Sequence, residues 1–324
     1  TGLETRILRY PCEGFKETRG ECNQSRRKSG WLLHMKIGDI ELVPVSDGTA
    51  WWDGGGAFGL VPKTRWEKLL PPDAQNRVPL ALRCLLIRTP SATILVDTGM
   101  GDKVTPEIAE QQGFALERPN GWLVDDLARQ GVAPEEVDLV VLTHLHADHC
   151  GGSTRWLDGR FVPTFPRAEY WVQQREWDDA HHPNERTRAT YYSVNFDPLE
   201  ATGKLCLLRG NAPVTQGVRV AVAPGHTAGM QAVIIESGDH TAVFLSDLAF
   251  FHWQLERLAW VSAYDVDPMT TIETKRRWQP WLVERQATIF FQHDPLMAVG
   301  ALREYEGRYS VDQVMAPPSA PTSE

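Results

Sequence analysis

The run Thr143-His144-Leu145-His146-Ala147-Asp148-His149 constrains this chain more than any other feature. Three imidazoles and one carboxylate are packed into it, directly after the apolar stretch 137–142. A largely apolar run with β-branched residues, interrupted here by Asp138, suits a strand buried on both faces. Side chains at this spacing, in a loop leaving such a strand, can converge on one point. Gly151-Gly152 then lets the backbone turn away. Imidazole and carboxylate are the donors of divalent metal sites that hydrolyse bonds near neutral pH and leave a position open for water.

Three further candidates lie downstream. His226 follows the strand-like segment 218–223, Asp247 follows 241–245, and His293 follows 288–291. Each falls at the C-terminal end of a strand, so all three can gather at one sheet edge with His144, His146, Asp148 and His149. Singly, each has a plainer reading as a capping aspartate or a hydrogen-bonded core histidine. Their shared placement favours the metal site.

The rest of the chain reads as strands and helices in two successive rounds. Strands are expected at 36–45, 82–88, 93–96 and 231–236, and helices at 122–130, 168–180, 268–286 and 302–314. A loop is expected from Gly54 to Arg65. Such an order fits two β-sheets packed face to face with helices outside. Residues 1–34 are polar and Arg-rich and read as an extension, either a genuine arm or a remnant ahead of a start at Met35. Residues 35–316 read as a single domain, and 317–324 as a disordered tail.

Composition narrows the partners. The formal net charge is −9, with about +3 in the leader, so the body carries about −12. An acidic body argues against a nucleic-acid backbone as ligand. No apolar run approaches the ~20 residues that a membrane helix needs. Five scattered cysteines without a CxxC pair point to reduced thiols in a cytoplasm. Cys150, beside a candidate ligand, reads as a small buried residue and not as a nucleophile.

With these residues in place, the sequence resembles the metallo-β-lactamase superfamily over roughly residues 36–310. The resemblance implies an αββα sandwich, with two mixed sheets and helices on the outer faces. It implies one metal on His144, His146 and His226, and a second on Asp148, His149 and His293, with Asp247 bridging both. Asp97, in Val96-Asp97-Thr98-Gly99, matches the buried aspartate that orients a ligand histidine. Two divalent ions are implied, zinc foremost, with manganese, cobalt or iron as the other options. A bridging hydroxide would attack the substrate, and Asp148 or a bound water would return a proton to the leaving group.

Within the superfamily, His146 stands where the flavodiiron oxidoreductases carry glutamate, and Asp247 is a residue that β-lactamases of this fold generally lack. The nearest resemblance is to quorum-quenching lactonases and methyl parathion hydrolase. It rests on Gly54-Gly55-Gly56-Ala57-Phe58 through Trp66, and on Ala168-Glu169-Tyr170-Trp171 through Trp177. It implies a small-molecule lactone or ester as substrate, with promiscuity toward organophosphate triesters, and often a homodimer. A primary phosphotriesterase is the alternative, and a mononuclear iron sulfur dioxygenase a more distant one. One departure matters: acyl-homoserine lactonases place a tyrosine three residues after the bridging aspartate, and here that residue is Phe250. Ser246 also stands where many relatives have glycine. Phe58, Trp51, Phe250, Trp253 and Trp260, together with Trp52, are expected to wall an apolar pocket.

Overall fold

The computed structural model describes residues 34–315. The expectations for the leader up to residue 33 and for the tail from 317 onward fall outside that span.

Two large sheets dominate the molecule. The first has eight strands and the second seven, and a separate two-stranded hairpin, Thr154–Leu157 with Arg160–Pro163, stands apart. Both sheets are mixed. In the first, Thr93–Val96, Leu139–Val141, Glu169–Gln173 and Leu205–Leu208 run parallel, while Ile40–Asp53 and Arg77–Arg88 form a long antiparallel pair. In the second, His240–Phe244 and Thr288–Phe290 are the parallel pair among antiparallel neighbours.

The layers follow from which faces are apolar. Leu42, Leu85, Ile87 and Val96 of the first sheet meet Val220, Val233, Ile235 and Phe244 of the second in one buried cluster between the sheets. The outer face of the first sheet packs on Leu123, Leu127, Trp177 and Leu199 from helices. The outer face of the second packs on Leu255 and Leu282. The order is therefore helix, sheet, sheet, helix, as the resemblance implied.

Three local expectations need correction. Residues 168–180 were expected as one helix, but Glu169–Gln173 is a strand and the helix is Gln174–His181. Tyr170 and Val172 alternate inward, and that period of two fits a strand with parallel neighbours on both sides. Residues 302–314 were expected as a helix, but Val299–Tyr305 and Arg308–Met315 form an antiparallel hairpin. Glu306 and Gly307 both adopt positive φ (51° and 74°), and two such residues make a hairpin turn. The loop expected from Gly54 to Arg65 holds two short helices, Gly54–Phe58 and Lys63–Trp66. The Asp53 carboxylate caps the first by accepting from Gly56 N at 3.0 Å.

One buried carboxylate fixes the loop that leads into the site. Asp47 sits at the register shift in Ile40–Asp53 and is fully buried. It accepts from Met100 N (2.8 Å), Gly101 N (3.2 Å), Leu123 N (2.9 Å) and Arg118 Nη2 (2.7 Å). Gly99 has φ of 66°, and a Cβ there would come within 2.4 Å of the Asp47 Cβ, so only glycine allows this approach. Asp47→Ala would leave a largely buried guanidinium uncompensated and three amides unpartnered. It is expected to lower unfolding free energy by about 3–5 kcal/mol, read from chemical denaturation.

Candidate metal centre

The seven expected donors meet at the C-terminal ends of strands from both sheets. The first sheet delivers His144, His146, Asp148 and His149 on the segment after Leu139–Val141. The second delivers His226 after Val218–Val222, Asp247 after His240–Phe244 and His293 after Thr288–Phe290. Parallel strands point their chain ends the same way, so loops far apart in sequence open onto one edge.

Three donor groups can each hold a cation, with ligand atoms within 4.8 Å of one another: His144, His146 and His226; Asp148, His149 and His293; and His144, His149 and Asp247. Asp247 lies between the first two. Its Oδ2 is 3.1 Å from His226 Nε2 and 3.3 Å from His149 Nε2, and its Oδ1 is 3.1 Å from His293 Nε2. His226 Nε2 and His146 Nδ1 face each other at 3.0 Å. His144 Nε2 and His146 Nε2 are buried without hydrogen-bond partners among the described residues. Orphaned polar atoms cost stability in an apolar interior, so inward-facing ones fit a divalent ion. An all-imidazole triplet beside a carboxylate-containing one suits zinc or its first-row neighbours.

The charges divide the rings. Against the pull of burial, Asp247 and Asp148 raise His149 well above the ordinary histidine range, and Asp247 and Asp265 raise His226. These two release a proton when a metal binds, while His144 and His146 lie low. Burial, then the imidazoles of His149 and His146, holds His144 well below the ordinary histidine range. Burial and the facing His226 bring His146 down to about 3. Neutral imidazole is the form that binds metal. Burial opposes ionisation of Asp148, but His149 and His293 outweigh it and bring the carboxyl down to about 2. Burial likewise opposes ionisation of Asp247, and His149, His293 and His226 hold it well below the carboxylate range.

Outer partners fix each ring. Asp97 Oδ2 is 3.0 Å from His149 Nδ1, and the same carboxylate accepts from Thr143 N (2.7 Å) and Thr143 Oγ1 (2.8 Å). Ser246 Oγ donates to Thr143 Oγ1 at 2.8 Å. Ser246 has φ of 52°, a conformation easier for glycine, and this hydrogen bond offsets the strain of a serine there. His293 Nδ1 sits 2.9 Å from the Ala81 carbonyl.

Two residues escaped the sequence reading. Asp265 Oδ1 lies 3.0 Å from His226 Nδ1, doing for His226 what Asp97 does for His149. Glu176, fully buried, accepts from Leu145 N (3.0 Å), Tyr191 Oη (3.0 Å) and Thr227 Oγ1 (2.5 Å). It braces the loop of His144 and His146 against the loop of His226. Neither residue belongs to a spaced ligand pattern, so nothing in the sequence marked it.

Beside the donors opens a cavity of about 620 Å³. His146, Asp148, His226 and Asp247, with Phe250 and Tyr264 against them, line its metal-site end; Trp52, Met100, Val104, Ile108 and Phe114 form an apolar wall. Of the aromatic residues expected there, Phe250 and Trp52 line it. Trp51 does not: the chain alternates sides along a strand, and Trp52 takes the inward place. Phe58, Trp253 and Trp260 belong instead to an adjacent aromatic core, where Phe58 stacks on Trp66 (5.0 Å between centroids) and on Phe251 (4.9 Å). Tyr264 lines the cavity and was not anticipated. Burial, then the carboxylates of Asp53 and Asp148, pushes its phenol up to about 12, so it stays protonated at neutral pH. Cys150 is fully buried, its Sγ 3.2 Å from the Leu145 carbonyl, and burial pushes its thiol up, as expected of a packing residue.

The segment between Asp247 and Asp265 is held from outside by one lysine, whose ammonium burial brings down to about 7. Lys275, buried in the helix Pro268–Glu284, donates to the carbonyls of Gln254 (2.9 Å), Arg257 (3.3 Å) and Trp260 (2.7 Å).

Comparison with known proteins agrees with this geometry. Residues 78–268 match the model of the Metallo-beta-lactamase superfamily, more than half of the chain, and the chain belongs to that superfamily. An N-acyl homoserine lactonase of a Bacillus species is 26% identical over 224 residues, covering 66% of this chain and 82% of that protein. A probable metal-dependent hydrolase from Staphylococcus aureus superposes with a TM-score of 0.80 at 28% identity, over 88% of this chain and 100% of that one. AidC, a dizinc quorum-quenching lactonase solved with a product, shares the fold at a TM-score of 0.73 and 22% identity, over 88% of this chain and 97% of its own. The buried donor set in a chain of this superfamily, with lactonase relatives, makes it a metallo-hydrolase. No helix among the described residues is long and apolar enough to cross a membrane.

Removing Asp265 tests the outer support. Asp265→Ala is expected to lower metal affinity about 10- to 100-fold while the fold persists, as measured by competition with a chromogenic chelator and by circular dichroism.

Proposed function

We propose that this protein hydrolyses lactones or esters at a two-metal centre, with side activity toward organophosphate triesters. The observation that carries the reading is the pair of buried donor triplets joined at Asp247. His144, His146 and His226 would hold one divalent ion, and Asp148, His149 and His293 the other, with Asp247 reaching both. Zinc is the foremost candidate, and manganese, cobalt or iron fit the same donors. Bound there, the two ions would supply Lewis-acid polarisation of a carbonyl or phosphoryl oxygen and a water activated at neutral pH.

The chain's own residues account for the remainder. Asp97 and Asp265 keep His149 and His226 in the ring orientation that turns Nε2 inward. Asp148, ionised and at the cavity wall, would take up the proton released by the attacking water and return it to the departing alkoxide. The wall of Trp52, Val104, Ile108 and Phe114 accepts an apolar acyl or aryl body and excludes water around it. Residues 35–316 are taken as the catalytic unit. The free thiols Cys84, Cys150 and Cys206 suit a reducing cytoplasm.

A primary phosphotriesterase is the second reading. Phe250 favours it, because a neutral aryl triester needs less hydrogen bonding at that wall than an acyl lactone does. A mononuclear iron sulfur dioxygenase stands last, since both donor triplets are complete.

Elemental analysis followed by a panel of acyl lactones, aryl esters and phosphotriesters tests the proposal. The purified protein is expected to carry two metal equivalents and to cleave a lactone or an ester. Activity confined to β-lactams would overturn the substrate assignment. His146→Ala and Asp247→Ala are each expected to lose metal and to lower kcat/KM by at least about a thousandfold; full turnover in metal-free protein would overturn the site.

A further inference from the structure

The side chain three residues after Asp247 is Phe250, which cannot donate a hydrogen bond. Its ring nevertheless sits against the donors, 5.7 Å from the His226 ring and 5.1 Å from the His293 ring. Tyr264 stacks on the other side of Phe250, at 6.2 Å between centroids and 21° between planes, and lines the same cavity as His146 and Asp148. Among the described residues its hydroxyl takes no side-chain or backbone hydrogen-bond partner, and of the two phenols in the lining, Tyr192 and Tyr264, it is Tyr264 that stacks on Phe250. The Lys103 ammonium is used up on the carbonyls of Gly151 and Thr154, and the Thr190 hydroxyl on the Thr187 carbonyl.

The Tyr264 backbone is fixed. Arg186 Nη2 donates to the carbonyls of Ala263 (2.5 Å) and Asp265 (2.8 Å) on either side of it. Val266 N donates to the His226 carbonyl at 3.0 Å, and Asp265 holds the His226 ring itself. The phenol is thus in register with the loop that carries His226. A glycine keeps its place open: a Cβ at Gly56 would lie 2.2 Å from the Tyr264 hydroxyl.

We propose that Tyr264 supplies the phenol donor that Phe250 lacks, giving a hydrogen bond to the oxygen of the bound substrate from one ring farther out along the same wall. This rests on the hydrolase reading above. A donor one ring farther from the metals favours substrates whose second polar oxygen lies away from the scissile bond. It acts as a donor only, with no proton transferred.

The test uses full-length, metal-loaded protein with γ-decalactone and phenyl acetate as substrates, and 4-hydroxydecanoate as a binding probe followed by tryptophan fluorescence. Tyr264→Phe is expected to lower kcat/KM for the lactone about tenfold, the size of one lost hydrogen bond, with most of the fall in kcat. Gly56→Ala, which pushes on the hydroxyl and leaves its chemistry intact, is expected to move the same parameter in the same direction. Phe250→Tyr placed in the Tyr264→Phe background is expected to recover at least about threefold, which a purely structural loss would not allow. Melting temperatures of all variants report whether the fold is intact. Tyr264→Phe turnover equal to wild type, or no recovery with Phe250→Tyr, overturns the proposal and leaves the hydrolase reading standing. A wild-type protein inactive on both substrates overturns the substrate reading. Tyr264 is then judged by the probe alone: about fivefold weaker binding in Tyr264→Phe supports its role, and equal binding overturns it.

Discussion

Five imidazoles and two carboxylates share one volume at the strand ends, six of the seven residues buried. A low-dielectric interior penalises each unpaired charge and each unpartnered donor by several kcal/mol. The surrounding structure is organised around that cost. Asp97, Asp265 and the Ala81 carbonyl take up the outward ring nitrogens of His149, His226 and His293. Glu176 satisfies three further donors next to the same loops. His144 Nε2 and His146 Nε2 are left without partners among the described residues, and unpaired imidazole nitrogens in a buried cluster distinguish a cation-binding set from a polar core.

Division of the donors between the sheets gives the site its rigidity. Neither sheet holds a complete set, so the apolar cluster between them, from Leu42 and Ile87 to Val233 and Phe244, sets the distance between the two halves of the centre. Close packing there resists small displacements. A volume change in that core would therefore be felt at His226 and Asp247 as well as in stability, although it touches neither.

Much of this was legible in the sequence. The ligand spacing, the apolar strand before it and the recurrence of His or Asp after later strands placed all seven donors and the layered fold. Asp97 was legible only through the family resemblance, because its local setting in Val96-Asp97-Thr98-Gly99 fits a turn-forming aspartate as well. Asp265 and Glu176 were not, because a supporting carboxylate is defined by what it meets across the fold and no local spacing encodes that meeting. The strand at Glu169–Gln173 and the hairpin closing at Glu306-Gly307 were misread for a related reason. Short segments of mixed polarity fit both periods until their neighbours decide. The pocket aromatics divided similarly: Trp51 and Trp52 are adjacent, and only strand register tells which faces the cavity.

Lys275 grips its loop by main-chain oxygens alone. Every residue type offers a carbonyl, so the anchor is indifferent to what side chains Gln254, Arg257 and Trp260 carry. Sequence drift along that stretch can then remodel the rim of the cavity while the approach to Asp265 keeps its course. A family using such an anchor can diversify its substrates by ordinary point mutation without first rebuilding the scaffold that presents them.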